Sequence, residues 1–319
     1  MAANSVNIEL QEENLNTRSR RGRWIDQVAH IVFLVCAILV VVIIFGVFIF
    51  LGFNGLKMFQ DPAARDFFTS TNWNPTGTPP SFGALGFILG SVVTTAFAIV
   101  IVTPFAFAMA LYLTEIAPGW VNAILRPILE IFTGMPSVVI GFLGLIVLVP
   151  WLQTIAAPIA PSAANAGDGW GAAILVLVIM VLPTVVSVSI DALNAVPNSV
   201  REASLALGST RWQMMKDAVL PAASAGLSTA VVLGMARAIG EALAVGLVLQ
   251  GDTHLPANLF SLGVFSQPNI NITNAILLYF SESSGTERAG YFMLGFILLM
   301  ISFLFICLSR YIASRSVYK

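Results

Sequence analysis

Six long apolar runs constrain the fold of this chain more than any other feature of its sequence. They cover residues 29–52, 84–114, 127–151, 171–190, 222–250 and 291–309. A helix needs about 20 apolar residues to cross the hydrocarbon core of a bilayer, and each run is near that length or exceeds it. Charged residues make up only 10% of the chain, whereas soluble domains carry roughly 25%. The sequence therefore predicts an all-α, polytopic membrane protein with six transmembrane helices.

Three prolines lie within these runs, namely Pro104, Pro136 and Pro183. Inside a membrane helix a proline can bend the helix without ending it, because neighbouring helices satisfy the carbonyls that it frees. We therefore expect the second, third and fourth spans to be kinked and continuous.

Lysine and arginine are distributed unevenly between the two sides of the predicted membrane. With the N-terminus in the cytoplasm, eleven of the fifteen lie inside, three lie outside, and Arg237 lies within a span. The positive-inside rule then predicts that both termini are cytoplasmic. The predicted organisation is an N-terminal tail at 1–28, a transmembrane domain at 29–313 with a cytoplasmic loop at 191–221, and a C-terminal tail at 314–319.

The sequence lacks the residues that several kinds of catalytic or cofactor site require. None of the lysines is followed by Ser or Thr, as a phosphate-cradling loop of the pattern GxxxxGK[ST] requires. The histidines, His30 and His254, are predicted on opposite sides of the membrane, so they cannot share a metal ion or a catalytic dyad. Cys36 and Cys307 both lie within spans, where we expect them to be packing residues. The sequence predicts a chain that is not an enzyme and holds no cofactor or metal of its own.

A charged segment with the sequence REASLALGSTRWQMMKDAVLP interrupts the apolar runs at Arg201–Pro221. Its apolar residues alternate with polar ones, which favours short amphipathic helices. Gly208 permits a backbone conformation that other residues resist, so the sequence predicts a turn near Gly208–Ser209. Two interpretations are open: an ordinary amphipathic loop at the membrane surface, or a docking element for a cytoplasmic partner.

The same segment resembles the EAA motif of ABC importer permeases, in which Glu-Ala-Ala is followed by three residues, Gly, nine residues and Ile-x-Leu-Pro. The positions that match are Glu202, Ala203, Gly208, Leu220 and Pro221. Two positions depart mildly from the motif, Ser204 at its third alanine and Ala218 at its isoleucine. In that family the loop forms a coupling helix that seats in a groove on the ATPase subunit. The resemblance implies that the five matching residues couple transport to ATP hydrolysis.

A wider resemblance covers most of residues 82–250. The stretches at 82–120, at 135–145 (MPSVVIGFLGL) and at 234–245 (GMARAIGEALAV) are similar to the PstC-type phosphate permeases. The resemblance implies a type I ABC importer permease fold in the bacterial cytoplasmic membrane, with inorganic phosphate as the substrate. It also implies a PstA-like partner permease, two PstB-like ATPase subunits that hold ATP and Mg, and a PstS-like phosphate-binding protein on the outer face. No nucleic-acid partner is expected.

Two charged residues fall near the middle of the fifth predicted span, Arg237 and, four residues later, Glu241. On a continuous helix, residues four apart share a face. A charged residue at mid-bilayer costs about 2.5–3.5 kcal/mol on insertion scales, and such residues usually mark a pathway. In one interpretation Arg237 offers phosphate a cationic waypoint with paired N–H donors, and Glu241 holds or gates it. In the other the two residues form a static salt bridge that locks helices together.

Other functions are open on the sequence alone. A permease of the same fold could carry sulfate or molybdate, or the chain could be the partner phosphate permease. An ion-coupled secondary transporter could use Arg237 and Glu241 as a relay, but it would not need the motif at Arg201–Pro221. A membrane scaffold or signalling anchor is disfavoured by the charges within the fifth span.

Overall fold

The computed structural model of the chain describes residues 2–156, 167–249, 265 and 270–316, and the side chains of residues 24–155, 167–249, 265 and 270–311. It divides into two compact units, Met1–Phe53 and Asn54–Lys319. The first unit consists of the greater part of one helix, α1 (Ala2–Leu56). Nearly all of its large apolar side chains from Trp24 onward are exposed, as contact with hydrocarbon in a bilayer allows.

The second unit is mainly helical. Its helices are α2 (Leu85–Leu111), α3 (Gly119–Gly134), α4 (Ser137–Leu143), α5 (Val149–Ala156), α6 (Trp170–Asn194), α7 (Asn198–Ala206), α8 (Arg211–Gln213), α9 (Leu220–Ala222), α10 (Ser224–Gly240), α11 (Leu243–Val248), α12 (Ile272–Tyr279) and α13 (Gly285–Ser316). Turns of π-helix occupy Tyr112–Ile116, Gly144–Leu148 and Met214–Val219, and turns of 3-10 helix occupy Lys57–Gln60 and Pro62–Ala64. Strands β1 (Trp73–Asn74) and β2 (Ser81–Phe82) form a small antiparallel hairpin in which Trp73 pairs with Phe82.

Five helices in the described part of the chain are long and apolar enough to cross a membrane. They are Trp24–Gln60, Leu85–Ile116, Ser137–Ile155, Trp170–Asn194 and Gly285–Tyr311. A sixth is counted if Arg211–Ala222 and Ser224–Gly240, which are bent by 70° at their junction, form one span. The predicted all-α, multi-span fold is confirmed. Residue 250 of the fifth predicted span, His254, and residues 317–319 of the predicted C-terminal tail lie outside the described residues.

The third predicted span, 127–151, is wrong at its start. α3 ends at Gly134, Met135 is extended with ψ 136°, and the next helix begins after Pro136. Proline lacks an N–H and disfavours the helical conformation of the residue before it, so Pro136 ends one helix and precedes another. The membrane-length helix therefore starts at Ser137. By contrast, α2 and α6 continue through Pro104 and Pro183, as expected.

The fifth predicted span, 222–250, is not one continuous helix. α10 ends at Gly240, and Glu241 is extended with ψ 110°. Glycine has low helix propensity, and the Glu241 carboxylate accepts a hydrogen bond from the Ala244 amide at 3.4 Å, at the start of α11. The break at Gly240–Glu241 divides the predicted span into a long helix and a short one.

The core of the second unit is centred on α6, which packs against both α2 and α10. Small residues allow the helices to approach closely, as is usual where helices pack within membranes. A Cβ built on Gly234 of α10 would lie 2.6 Å from Cγ2 of Val185 on α6. The backbones of α10 and α6 are therefore held close together at the level of Gly234.

Residues 57–84 form a compact structure over the starts of α2 and α13, which we call the aromatic cap. The Trp73 ring lies 5.3–6.3 Å, centroid to centroid, from the rings of Phe67, Phe82, Phe87 and Tyr291. The Thr286 hydroxyl donates to the Asp61 carboxylate at 3.2 Å. These contacts fix the chain that precedes α2 against the start of α13.

Candidate functional site

The segment Arg201–Pro221, which we call the EAA-like segment, folds into short helices with the predicted turn at Gly208–Ser209. α7 ends at Ala206, and Gly208 has φ +84°, in the left-handed region that favours glycine. A Cβ built on Gly208 meets no atom within 4 Å. The requirement for glycine therefore comes from the backbone angle and not from crowding.

Side chains close this turn on both sides. The Ser209 hydroxyl donates to the Ser204 carbonyl at 2.6 Å, and the two serine hydroxyls lie 2.8 Å apart. Thr210 then begins α8 with a capping box, because its hydroxyl accepts from the Gln213 amide and the Gln213 side chain accepts from the Thr210 amide. Ser204, which departs from the motif alanine, thus has a local role in holding the turn.

The apolar residues of the EAA-like segment divide between two surfaces. Met214, Met215 and Val219 are buried and attach the segment to the core. Leu207 and Trp212 are 89% and 62% exposed, and the motif residues Glu202 and Ala203 are also exposed. The segment therefore presents a partly apolar surface around the turn while its other face is anchored.

An ion pair that the sequence did not indicate anchors α7. Nη2 of Arg201 lies 2.8 Å from Oε1 of Glu115, and Nε lies 3.0 and 3.3 Å from the two carboxylate oxygens. Arg201 also donates from Nη1 to the Val196 carbonyl at 2.6 Å and from Nη2 to the Leu193 carbonyl at 2.9 Å. The partners are 86 residues apart in the chain, so no local spacing could have paired them.

Arg237 lies half-buried on α10 and contacts α6. Its Nη1 donates to the Thr184 hydroxyl at 2.9 Å. Thr184 directly follows Pro183, and the sequence did not indicate it as a partner of Arg237. The structure thus holds the predicted pathway arginine by a neutral side chain on the neighbouring helix.

The structure does not show the static salt bridge between Arg237 and Glu241 that one interpretation of the sequence offered. α10 ends at Gly240, and Glu241 lies at its C-cap with φ -78° and ψ 110°, so the chain leaves the helix after Glu241. Among the residues that the structure describes, the ion pair found within 4.0 Å is Arg201–Glu115, and none joins Arg237 to Glu241. Both residues are half-buried, and a shared role in a substrate pathway stays a prediction.

Two other charged residues, Arg126 and Glu130, are exposed on α3. Neither takes part in the Arg201–Glu115 ion pair. They do not contribute to the arrangement around Arg201 or Arg237, so they provide useful comparison positions.

The chain is similar to known transport permeases over most of its length. A probable ABC transporter permease protein YqgH of Bacillus subtilis (strain 168) is 39% identical over 318 residues, which cover 99% of each chain. The phosphate transport system permease protein PstC of Pasteurella multocida (strain Pm70) is 34% identical over 262 residues, covering 78% of this chain and 79% of that protein.

A solved structure and a family model complete the comparison. A chain from the inward-facing MetNI methionine ABC transporter is 19% identical with a TM-score of 0.50, covering 74% of this chain and 95% of that chain. This likeness shows the fold, that of a type I ABC importer permease. The family model of binding-protein-dependent transport system inner membrane components matches residues 103–318, which include the EAA-like segment and Arg237. The chain belongs to this family of binding-protein-dependent transport system inner membrane components.

Proposed function

We propose that the chain is a permease subunit of an ATP-driven importer of inorganic phosphate in the bacterial cytoplasmic membrane, with both termini cytoplasmic. The relative named PstC and the sequence resemblance supply phosphate as the substrate. The structural observation that carries the proposal is the environment of Arg237, a cation that contacts a neutral hydroxyl.

The hydrogen-bonding capacity of Arg237 supports this function. A guanidinium has five N–H donors in a planar fork that suits the oxygens of phosphate. In the part of the chain that the structure describes, the one hydrogen bond from this guanidinium goes to Thr184, and no carboxylate neutralises it within 4.0 Å. Its charge and most of its donors are therefore available to an oxyanion, which favours the waypoint interpretation over a static salt bridge.

The EAA-like segment supports the assignment of ATP hydrolysis to separate subunits. In this proposal ATP and Mg are held by two PstB-like ATPase subunits. These dock on the surface formed by Glu202, Ala203 and the turn at Gly208, where Leu207 and Trp212 are exposed. Leu220 and Pro221 lie in α9, just before the 70° bend into α10, so they join the docking surface to the helix that carries Arg237. A PstA-like permease and a PstS-like phosphate-binding protein complete the importer.

Uptake by the reconstituted complex tests this function. The chain is purified with its partner permease, ATPase and binding protein and placed in proteoliposomes. We expect ATP-dependent uptake of labelled phosphate that excess unlabelled sulfate or molybdate does not reduce. Uptake of sulfate or molybdate in preference to phosphate would assign the chain to another oxyanion. Uptake driven by an ion gradient without ATP would contradict the importer class altogether.

A further inference from the structure

We propose that Arg201 and Glu115 form a joint that passes movement of the EAA-like segment to α2 and α6. The proposal rests on the proposed function, since it assigns two further positioning residues to the same transport cycle. Neither residue belongs to the five matching positions of the motif.

The first part of the joint connects α7 to the end of α2. Glu115 lies in the π-helical turn Tyr112–Ile116 that continues α2, and Arg201 lies near the start of α7. The side chains of Arg201 and Glu115 are 17% and 8% exposed. Nε and Nη2 of Arg201 both donate to Oε1 of Glu115, and Nε also lies 3.3 Å from Oε2. A two-pronged contact of this kind fixes orientation as well as distance. Rotation of α7 is therefore transmitted to α2 and not absorbed by a flexible contact.

The second part of the joint connects the same guanidinium to α6. Arg201 donates to the carbonyls of Leu193 and Val196, at the C-terminal end of α6 and just beyond it. The Leu193 carbonyl also accepts from the Val196 amide at 3.2 Å, so the guanidinium binds to the hydrogen-bonded turn that ends α6. One side chain thus holds three elements: α7, α2 and α6.

α6 extends this connection to the predicted pathway. Thr184, which accepts the hydrogen bond from Arg237, lies nine residues before Leu193, a distance of about 14 Å along a helix axis. The two arginines therefore contact the same helix, one at its end and one nearer its middle. A displacement of α7 by an ATPase subunit would reach α6 through Arg201 and Arg237 through Thr184.

A purely stabilising role predicts a different behaviour. Buried ion pairs contribute little net stability compared with apolar pairs of similar volume. A pair that only stabilises the fold would change the amount or thermal stability of the complex, and each assembled complex would still transport normally. Loss of a joint lowers the number of phosphate ions moved per ATP hydrolysed. This ratio therefore separates the two roles.

The test uses the reconstituted complex with Glu115→Gln and, separately, Arg201→Lys. Glutamine keeps a carbonyl acceptor for Arg201 but loses the charge, and lysine keeps the charge but loses the fork. We expect both variants to retain the ATPase subunit and ATP hydrolysis, while labelled phosphate taken up per ATP falls about fivefold or more. The matched controls Glu130→Gln and Arg126→Lys, which alter exposed residues on α3, should keep the wild-type ratio.

A second measurement does not depend on the substrate. Spin labels are placed at Ser199→Cys on α7 and Val100→Cys on α2, both exposed positions, in a chain without Cys36 and Cys307. If the joint holds α7 and α2 together, the distance between the labels in the wild-type complex is the same with and without ATP. In Glu115→Gln the distance with ATP differs from the distance without it.

The two measurements distinguish failure of the joint from failure of the proposed function. A wild-type phosphate-to-ATP ratio in Glu115→Gln, together with an unchanged label distance, overturns the joint. Absence of phosphate uptake by the wild-type complex, with the expected label distances, overturns phosphate as the substrate and leaves the joint supported.

Discussion

Arg237 is the charged residue on which the proposed substrate pathway depends most. It lies within a predicted span, and its observed contact is with the Thr184 hydroxyl. Replacement by glutamine keeps hydrogen-bond donors and much of the side-chain length but removes the charge. A hydrogen bond to a charged group contributes about 1.5–3 kcal/mol, so we expect Arg237→Gln to lower phosphate uptake by the assembled complex at least about tenfold.

The double variant Arg237→Gln/Glu241→Gln provides the control. If the two charges formed a lock, removing both would restore much of the activity, because a buried pair can be replaced as a unit. Since the structure describes no ion pair between them, we expect uptake to stay low in the double variant. Near-normal uptake, with assembly verified by co-purification, would return Arg237 to a structural role.

Gly208 allows a second prediction at the residue scale. Its φ of +84° costs a residue with a side chain about 1–2 kcal/mol, most of all a β-branched one. We expect Gly208→Val to insert normally but to distort the turn and reduce ATP-driven uptake. Gly208→Asn is the matched control, because asparagine tolerates the left-handed region and should keep most of the activity. Equal uptake by both variants and the wild type would show that the turn geometry is not needed.

The sequence suggested candidate site residues but did not predict their contacts. The motif spacing identified Gly208 and Pro221, and the mid-span charges identified Arg237. Glu115 and Thr184 were not identified, because each acts through a residue distant in the chain. Pairing of that kind depends on how α2, α6 and α7 pack, which no local pattern records.

At the scale of the helices, the errors lie where an apolar run contains a backbone break. Residues 127–151 and 222–250 are apolar enough to suggest one helix each, but the helix is interrupted at Met135–Pro136 and at Glu241. Composition reports whether a run can enter a membrane and does not report whether its hydrogen-bond ladder is continuous. The prolines within α2 and α6 show that proline alone would not have marked the break.

The break before α4 can be tested directly. We expect Pro136→Ala to restore the missing N–H and favour a continuous helix from α3 into α4. Spin labels at Ile131→Cys and Val139→Cys, both exposed, would then approach the spacing of about 12 Å expected for eight residues of helix. Label distances equal to those in a labelled chain that keeps Pro136 would show that tertiary packing, and not the proline, sets the break.

At the scale of the whole molecule, the multi-span helical fold followed from hydrophobic runs because the bilayer allows few other structures to span it. The arrangement of α2 and α10 against α6 could not be predicted in the same way. It depends on close approaches such as Gly234 to Val185, and many small residues in the sequence could have provided them.

The orientation in the membrane gives a prediction at this scale. A reporter that is active only in the cytoplasm should give a signal when fused after residue 210, within the EAA-like segment. Fusion after residue 265 should give none, because the fifth span intervenes in the predicted topology. The opposite pattern would contradict both the positive-inside assignment and docking of a cytoplasmic ATPase.

The aromatic cap limits which segments can be exchanged between members of this family in hybrid proteins. The family match begins at residue 103, so Phe67, Trp73 and Phe82 lie outside it, whereas Tyr291, against which Trp73 packs, lies inside it. A chimaera that takes residues 1–102 from one relative and the remainder from another would combine cap residues and a Tyr291 segment from two different proteins. Such hybrids should fold well only when the segment around Tyr291 is exchanged along with the cap.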